Sequence, residues 1–132
     1  MTSVLVRHAS AGNRDEWDGD DRQRPLDARG RRQAAELVEL LRALDVRRVV
    51  SSPYLRCVET VEPLAGARGL PVEEDDRLAE GAGRAASDLL GEDGVVLCTH
   101  GDVVRELVDR GLKKAAAVVL RGGEVVGAIP AP

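Results

Sequence analysis

Three short runs of apolar, mostly β-branched residues punctuate this chain: Val4-Leu5-Val6, Val49-Val50 and Val95-Val96-Leu97-Cys98. Each is too short for a buried helix and too uniformly apolar for a strand with one wet face, so each reads as a strand covered on both sides. Between them, apolar residues recur at helical spacing: Ala34, Leu37, Val38, Leu41 and Leu44, then Val103, Val104, Leu107 and Val108. Strands alternating with amphipathic helices predict an α/β protein, a three-layer α/β/α sandwich with a mainly parallel sheet. At 132 residues, residues 1–132 are expected to form a single domain. With one Trp, one Tyr and no Phe, the core must come from Val, Leu and Ala.

The punctuation between these runs sets further expectations. A polar loop is predicted over residues 9–26, with Asp27 capping the helix that follows. Ser52-Pro53 reads as a helix start, with Ser52 as N-cap, and Pro63 is expected to end or kink that helix. Leu70-Pro71-Val72 fits an edge strand, because proline cannot serve a central one. A short helix over 82–90 would bury Ala85, Ala86, Leu89 and Leu90. Asp102 is the expected cap of a helix ending at Gly111. A terminal hairpin is predicted from Ala115–Leu120, Gly122-Gly123 and Val125–Ile129. No internal repeat, linker or low-complexity segment interrupts the pattern.

The formal net charge of -4 argues against general binding to nucleic acid or to a membrane surface, which requires a basic face. Cys57 and Cys98 supply neither a disulfide framework nor zinc-ligand spacing, and buried thiols are expected. Met1-Thr2-Ser3 leads into only a short apolar run, unlike a signal peptide. No stretch approaches the roughly 20 apolar residues of a membrane span. A cytoplasmic setting is the expectation; the oligomeric state is not legible.

The two histidines both follow predicted strands: His8 directly after the first, His100 with one residue between it and Val95-Val96-Leu97-Cys98. In a parallel sheet both fall on the carboxyl rim, where open α/β sheets bind ligands. Arg7 precedes His8, and Arg56 lies in the first turn of the helix beginning near Ser52. Helix starts near Ser52 and Asp102 aim free N–H groups at the same rim. Two imidazoles, two guanidinium groups and two helix starts make a site for a phosphoryl dianion and for the spread charge of phosphoryl transfer.

These residues carry a resemblance. Leu5-Val6-Arg7-His8-Ala9 resembles the Arg-His-Gly signature of the histidine phosphatase (phosphoglycerate mutase-like) superfamily. Four more segments match in order: Arg24-Pro25-Leu26-Asp27-Ala28-Arg29-Gly30 with Gln33-Ala34; Ser51-Ser52-Pro53-Tyr54-Leu55-Arg56 with Thr60; Leu78-Ala79-Glu80; and Val96-Leu97-Cys98-Thr99-His100-Gly101. The resemblance implies a phosphoglycerate mutase-like fold and a nucleophile at His8. It also implies a phosphate pocket of Arg7, Arg56 and His100, a proton donor at Glu80, and no metal or other cofactor. Ala9 stands where the family usually has Gly, and Asn13 is one residue off the phosphate contact of the mutases. The length resembles the short SixA-type branch, which includes protein phosphohistidine phosphatases. The wording also resembles phosphatase domains that follow Nudix domains in actinobacterial proteins, although these residues hold no Nudix box.

The expected function is hydrolysis of a phosphomonoester or phosphoramidate through a phosphohistidine on His8. The phosphorylated partner would be a protein phosphohistidine, a nucleotide or a small phosphoester. Alternatives are a phosphoglycerate-type mutase, for which no lid segment is evident, and a non-catalytic phosphate-binding regulatory module, which would need no nucleophile. A metal site from Cys98, His100 and Asp102 lacks standard ligand spacing, and Asp18, Asp20 and Asp21 lack the glycine and distal glutamate of a calcium loop. Arg22, Arg24, Arg29, Arg31 and Arg32 form either a solvated face or a rim to the site. Trp17 either covers a core edge or meets substrate.

Overall fold

The computed structural model describes residues 2–132. Six strands form one sheet: β1 (Ser3–Arg7), β2 (Arg48–Ser51), β3 (Val72–Glu74), β4 (Val95–Thr99), β5 (Ala117–Arg121) and β6 (Glu124–Ile129). Their order across the sheet is β3-β2-β4-β1-β5-β6. The first four in that order run parallel; β5 pairs antiparallel with β1, and β6 antiparallel with β5. The sheet is thus mixed, with its parallel part at the three predicted buried strands.

Successive strand residues point to opposite faces, and the core divides accordingly. Val4, Val6, Val49, Val96 and Cys98 pack against α1 (Ala28–Leu40) and α2 (Leu55–Arg68) through Leu37, Cys57, Val61 and Leu64. Leu5, Val50, Val95 and Leu97 pack on the other side against α3 (Gly101–Val108) and a 3-10 turn at Ser87–Gly91. These are the three layers expected.

Several local expectations need correction. Helix α2 begins at Leu55 rather than Pro53, with Tyr54 as N-cap. The Ser52 hydroxyl still accepts from Tyr54 N–H at 3.2 Å, but it is also tied to His100, which keeps the chain extended for two more residues. Pro63 does not end the helix, which runs on to Arg68. Its ring lies on the exposed face, and the buried Val61, Leu64 and Ala65 around it outweigh the lost hydrogen bond. Residues 82–90 form turns and the 3-10 segment instead of a helix. Gly81 and Gly83 take left-handed φ of 83° and 62°, and Ala85 is exposed while Ala86, Leu89 and Leu90 are buried. Helix α3 starts two residues early, with His100 rather than Asp102 as N-cap, and Asp102 turns to accept from Gly81 N–H at 2.8 Å. It stops at Asp109 (φ 53°), short of Gly111, because an Asp tolerates the left-handed cap. The Asp27 cap stands as read; the edge strand lies at Val72–Glu74 rather than Leu70–Val72, and the terminal hairpin forms with its first strand at Ala117–Arg121 instead of starting at Ala115.

Candidate active site

Register places the site. In the parallel ladders Arg7 lies beside Thr99, and Ser51 beside Cys98. The next residue on each strand therefore leaves the sheet at the same level. His8 N–H donates to Thr99 O at 3.0 Å and Ser52 N–H to Cys98 O at 2.9 Å. His8, Ser52 and His100 emerge side by side, and the two imidazole rings stand edge to face with centroids 5.5 Å apart.

A cavity of about 730 Å³ opens over them. Its wall includes Arg7, His8 and His100 from the strand ends, Asn13, Arg14 and Arg24 from the 9–26 loop, and Glu80. Gly101, Asp102 and Arg105 on α3, with Lys114, complete the other side. His8 is buried, and its Nδ1 donates to Ala9 O at 2.8 Å, which leaves Nε2 facing the cavity with a free lone pair. Burial lowers the His8 pKa to about 3, helped by the positive charge of Arg56 and Arg7 and by His100, so the ring is neutral at physiological pH. His100 Nε2 lies 2.9 Å from Ser52 Oγ and 3.6 Å from Cys57 Sγ.

Arg7 donates through Nη1 to Leu112 O at 2.8 Å and fills the space a side chain at residue 101 would occupy. An added Cβ on Gly101 would sit 3.0 Å from Arg7 Cζ. Arg56 is fully buried behind the wall and does not line the cavity itself. Its fork grips Asp21 through the backbone carbonyl (2.9 Å) and Oδ2 (3.1 Å). Glu80 lies at the cavity edge, where its Oε1 accepts from Arg14 Nη2 at 2.7 Å and stands 3.7 Å from Arg56 Nη2. Among the described residues, three buried side-chain atoms lack any partner: Arg7 Nε, Arg56 Nε and His100 Nδ1. All three belong to residues read from the sequence as the phosphate pocket.

The motif residues with no assigned chemistry have a common task. Thr60 Oγ1 accepts from Ala9 N–H (2.9 Å), Gln33 Oε1 from Ser10 N–H (3.0 Å), and Asp27 Oδ2 from both Ser10 Oγ and Gly12 N–H. Arg24 donates to Ala11 O. Together they bolt down residues 9–12, the segment whose first carbonyl orients His8.

Of the basic cluster, Arg24 is buried at the site, Arg22 lies over the Tyr54 ring at 4.8 Å, and Arg31 donates to Leu26 O. Arg29 and Arg32 are exposed. Trp17 does not reach the His8 cavity. It lines a neighbouring groove of about 240 Å³, with Nε1 donating to Asp20 O. Asn13 lines the cavity while its Oδ1 accepts from Asp15 N–H. Arg14, Arg105 and Lys114 were not anticipated. For Arg105 a signal existed: Gly101, Asp102 and Arg105 share the helical face that begins at His100.

Residues 3–89 match the model of the histidine phosphatase superfamily (branch 1), and the chain belongs to that family. The matched span holds Arg7, His8, Arg56 and Glu80; His100 lies beyond it. A curated relative, the 8-oxo-(d)GTP phosphatase of Mycolicibacterium smegmatis, is 34% identical over 150 aligned positions, covering 96% of this chain and 47% of the relative. The chain thus spans about half the length of that relative. Among solved structures, the protein histidine phosphatase SixA complexed with tungstate superposes with a TM-score of 0.79 at 23% identity, covering 98% of this chain and 97% of the other. A mycobacterial glucosyl-3-phosphoglycerate phosphatase gives 0.71 at 19% identity, covering 89% and 88%. At such identities the structural likeness speaks for the fold.

Proposed function

We propose that this chain is a phosphatase that transfers a phosphoryl group to Nε2 of His8 and then to water. The observation that carries the mechanism is a set of unpartnered buried atoms beside a neutral His8: Arg7 Nε and His100 Nδ1, whose residues line the cavity, and Arg56 Nε behind its wall. Buried polar atoms are almost always satisfied, and two guanidinium nitrogens with an imidazole nitrogen match phosphoryl oxygens. Ala9 O holds the proton on Nδ1 of His8, so Nε2 attacks. The Ser52 hydroxyl, directed by Tyr54 N–H, donates to His100 Nε2; this keeps the His100 proton on Nδ1, aimed at the phosphoryl group.

The N–P bond forms as the bond from phosphorus to the leaving oxygen breaks. Water then attacks phosphorus, releasing phosphate and neutral His8. An ester leaving group needs a proton, which we assign to Glu80; in that role Glu80 must first release Arg14. Charge on the transferring group is met by Arg and His side chains, so no metal is required. Cys57 and Cys98 are buried free thiols, consistent with the cytoplasm. Among the described residues no helix is long and apolar enough to cross a membrane.

The cavity rim, with Asn13, Arg14, Arg105 and Lys114 exposed, admits water freely, which favours hydrolysis over transfer to a second alcohol. The test is a panel of phosphohistidine protein, nucleotides and sugar phosphates, each assayed in EDTA, beside phosphoglycerate isomerisation. Hydrolysis that persists in EDTA and outruns isomerisation is expected. Dominant isomerisation, or activity lost to EDTA and restored by metal, would overturn the reading.

A further inference from the structure

A chain with one Trp, one Tyr and no Phe places its single phenol ring at the back of the site. Tyr54 is half-buried and does not line the His8 cavity. Its ring nevertheless touches two residues of the phosphate pocket at once. It meets the His100 imidazole edge to face, with centroids 4.6 Å apart and planes at 76°. The Arg56 guanidinium lies over the same ring, with Cζ 4.9 Å from the centroid. Arg22, with Cζ at 4.8 Å, holds the ring from the neighbouring loop.

His100 and Arg56 need what such packing supplies. Hydrogen bonds at one nitrogen leave an imidazole able to pivot about that atom. His100 is held only through Nε2, which lies 2.9 Å from Ser52 Oγ and 3.6 Å from Cys57 Sγ; its buried Nδ1 has no partner. Arg56 is anchored through its Nη atoms to Asp21, and its buried Nε has no partner. The free N–H of each group lies in the plane of that group, and both planes pack against Tyr54. Edge-to-face and cation–π contacts are directional, so the phenol ring holds the angle of each group as well as its place. The Tyr54 backbone has separate work. Its N–H donates to Ser52 Oγ at 3.2 Å, and its carbonyl accepts from Cys57 N–H at 3.0 Å and Val58 N–H at 3.2 Å in the first turn of α2. A change of side chain leaves those bonds available.

We propose that Tyr54 is a positioning residue for phosphoryl transfer, its ring setting the angles at which His100 Nδ1 and Arg56 Nε face the transferring group. This rests on the phosphohistidine reading above. Fixed donors matter most where charge develops, and a misplacement of about 1 Å can cost on the order of 10²-fold. Loss of the ring therefore lowers kcat more than it raises KM.

The experiment measures kcat and KM for p-nitrophenyl phosphate, with inhibition by vanadate and by inorganic phosphate, in the unsubstituted chain and in Tyr54→Phe, Tyr54→Leu and Tyr54→Met. Vanadate bonded to His8 takes the five-coordinate shape of the transferring group; phosphate does not. Tyr54→Phe keeps both ring contacts and should stay within about twofold on every measure. In the two variants without a ring, kcat should fall about tenfold or more while KM changes less than about threefold. Vanadate should weaken about tenfold or more there, and phosphate less than about threefold. Normal kcat without the ring, equal weakening of vanadate and phosphate, or a loss in Tyr54→Phe equal to that in Tyr54→Leu would overturn the positioning role and leave the phosphatase reading standing. Thermal melts accompany the kinetics, and loss of the fold in both Tyr54→Leu and Tyr54→Met would also overturn it, making the ring structural. An unsubstituted chain that neither hydrolyses p-nitrophenyl phosphate nor binds vanadate would contradict both.

Discussion

His8 is a histidine kept neutral by its surroundings, and this has a consequence for stability. In the unfolded chain it takes a proton near its ordinary value of 6.5, whereas in the folded chain it resists protonation down to about 3. The unfolded state therefore binds more protons across that window, and stability is lost as pH falls from 6.5 towards 3. Between pH 6.5 and pH 5 the loss is about 2 kcal/mol. Urea unfolding at the two pH values should show it, and His8→Ala should flatten the difference; an unchanged pH dependence in the variant would place the effect elsewhere. Arg56 acts differently. Its fork holds the backbone and side chain of Asp21 at once, which an ammonium cannot reproduce. Arg56→Lys is expected to lose ten- to a hundredfold in kcat/KM, equivalent to about 1.5–3 kcal/mol for one charge-assisted contact. Steady-state kinetics check this, and a silent substitution would remove Arg56 from the working site.

At the scale of elements, the site depends on how tightly α1 grips the loop after β1. Gly30 is the closest approach: a Cβ there would lie 1.9 Å from Ser10 O, a backbone atom with no room to move. Gly30→Ala should push residues 9–12 away and cost about 1–3 kcal/mol, with a fall in kcat as Ala9 O leaves His8 Nδ1. Gly66 in α2 is the contrasting case, since an added Cβ meets nothing within 4 Å. Gly66→Ala should stabilise by about 0.5–1 kcal/mol with unchanged kinetics. Thermal melts and kinetics on the pair check both; a neutral Gly30→Ala would refute the clamp. Sequence periodicity located α1 and its Asp27 cap, because those signals are local. It missed the true start of α2, since what holds Ser52 extended is His100, 48 residues away. It missed the persistence of α2 through Pro63 for the same reason: packing of Val61 and Leu64 across the sheet outweighs a local breaker.

For the whole molecule, topology does the assembling. Parallel β1, β2 and β4 bring residues 8, 52 and 100 to one rim, so the pairing of the two histidines was legible once the sheet was read as parallel. The side-chain network was not. Nothing local marks Arg14 or Lys114 as cavity residues, because they arrive from a loop and from the segment before β5. Nor does spacing show that Glu80 is held by Arg14 and Arg56, 66 and 24 positions away. The net charge of -4 also conceals a cavity whose charged side chains are mostly cationic, because the acids lie mostly elsewhere on the surface.

The central claim is a covalent phosphoryl group on His8. Rapid quench with labelled substrate, followed by peptide mapping, tests it directly. The account predicts an adduct on His8 that is stable in base, labile in acid and absent from His8→Ala, which should also lose turnover. Near-normal turnover by His8→Ala, or an acid-stable adduct on another residue, would contradict it.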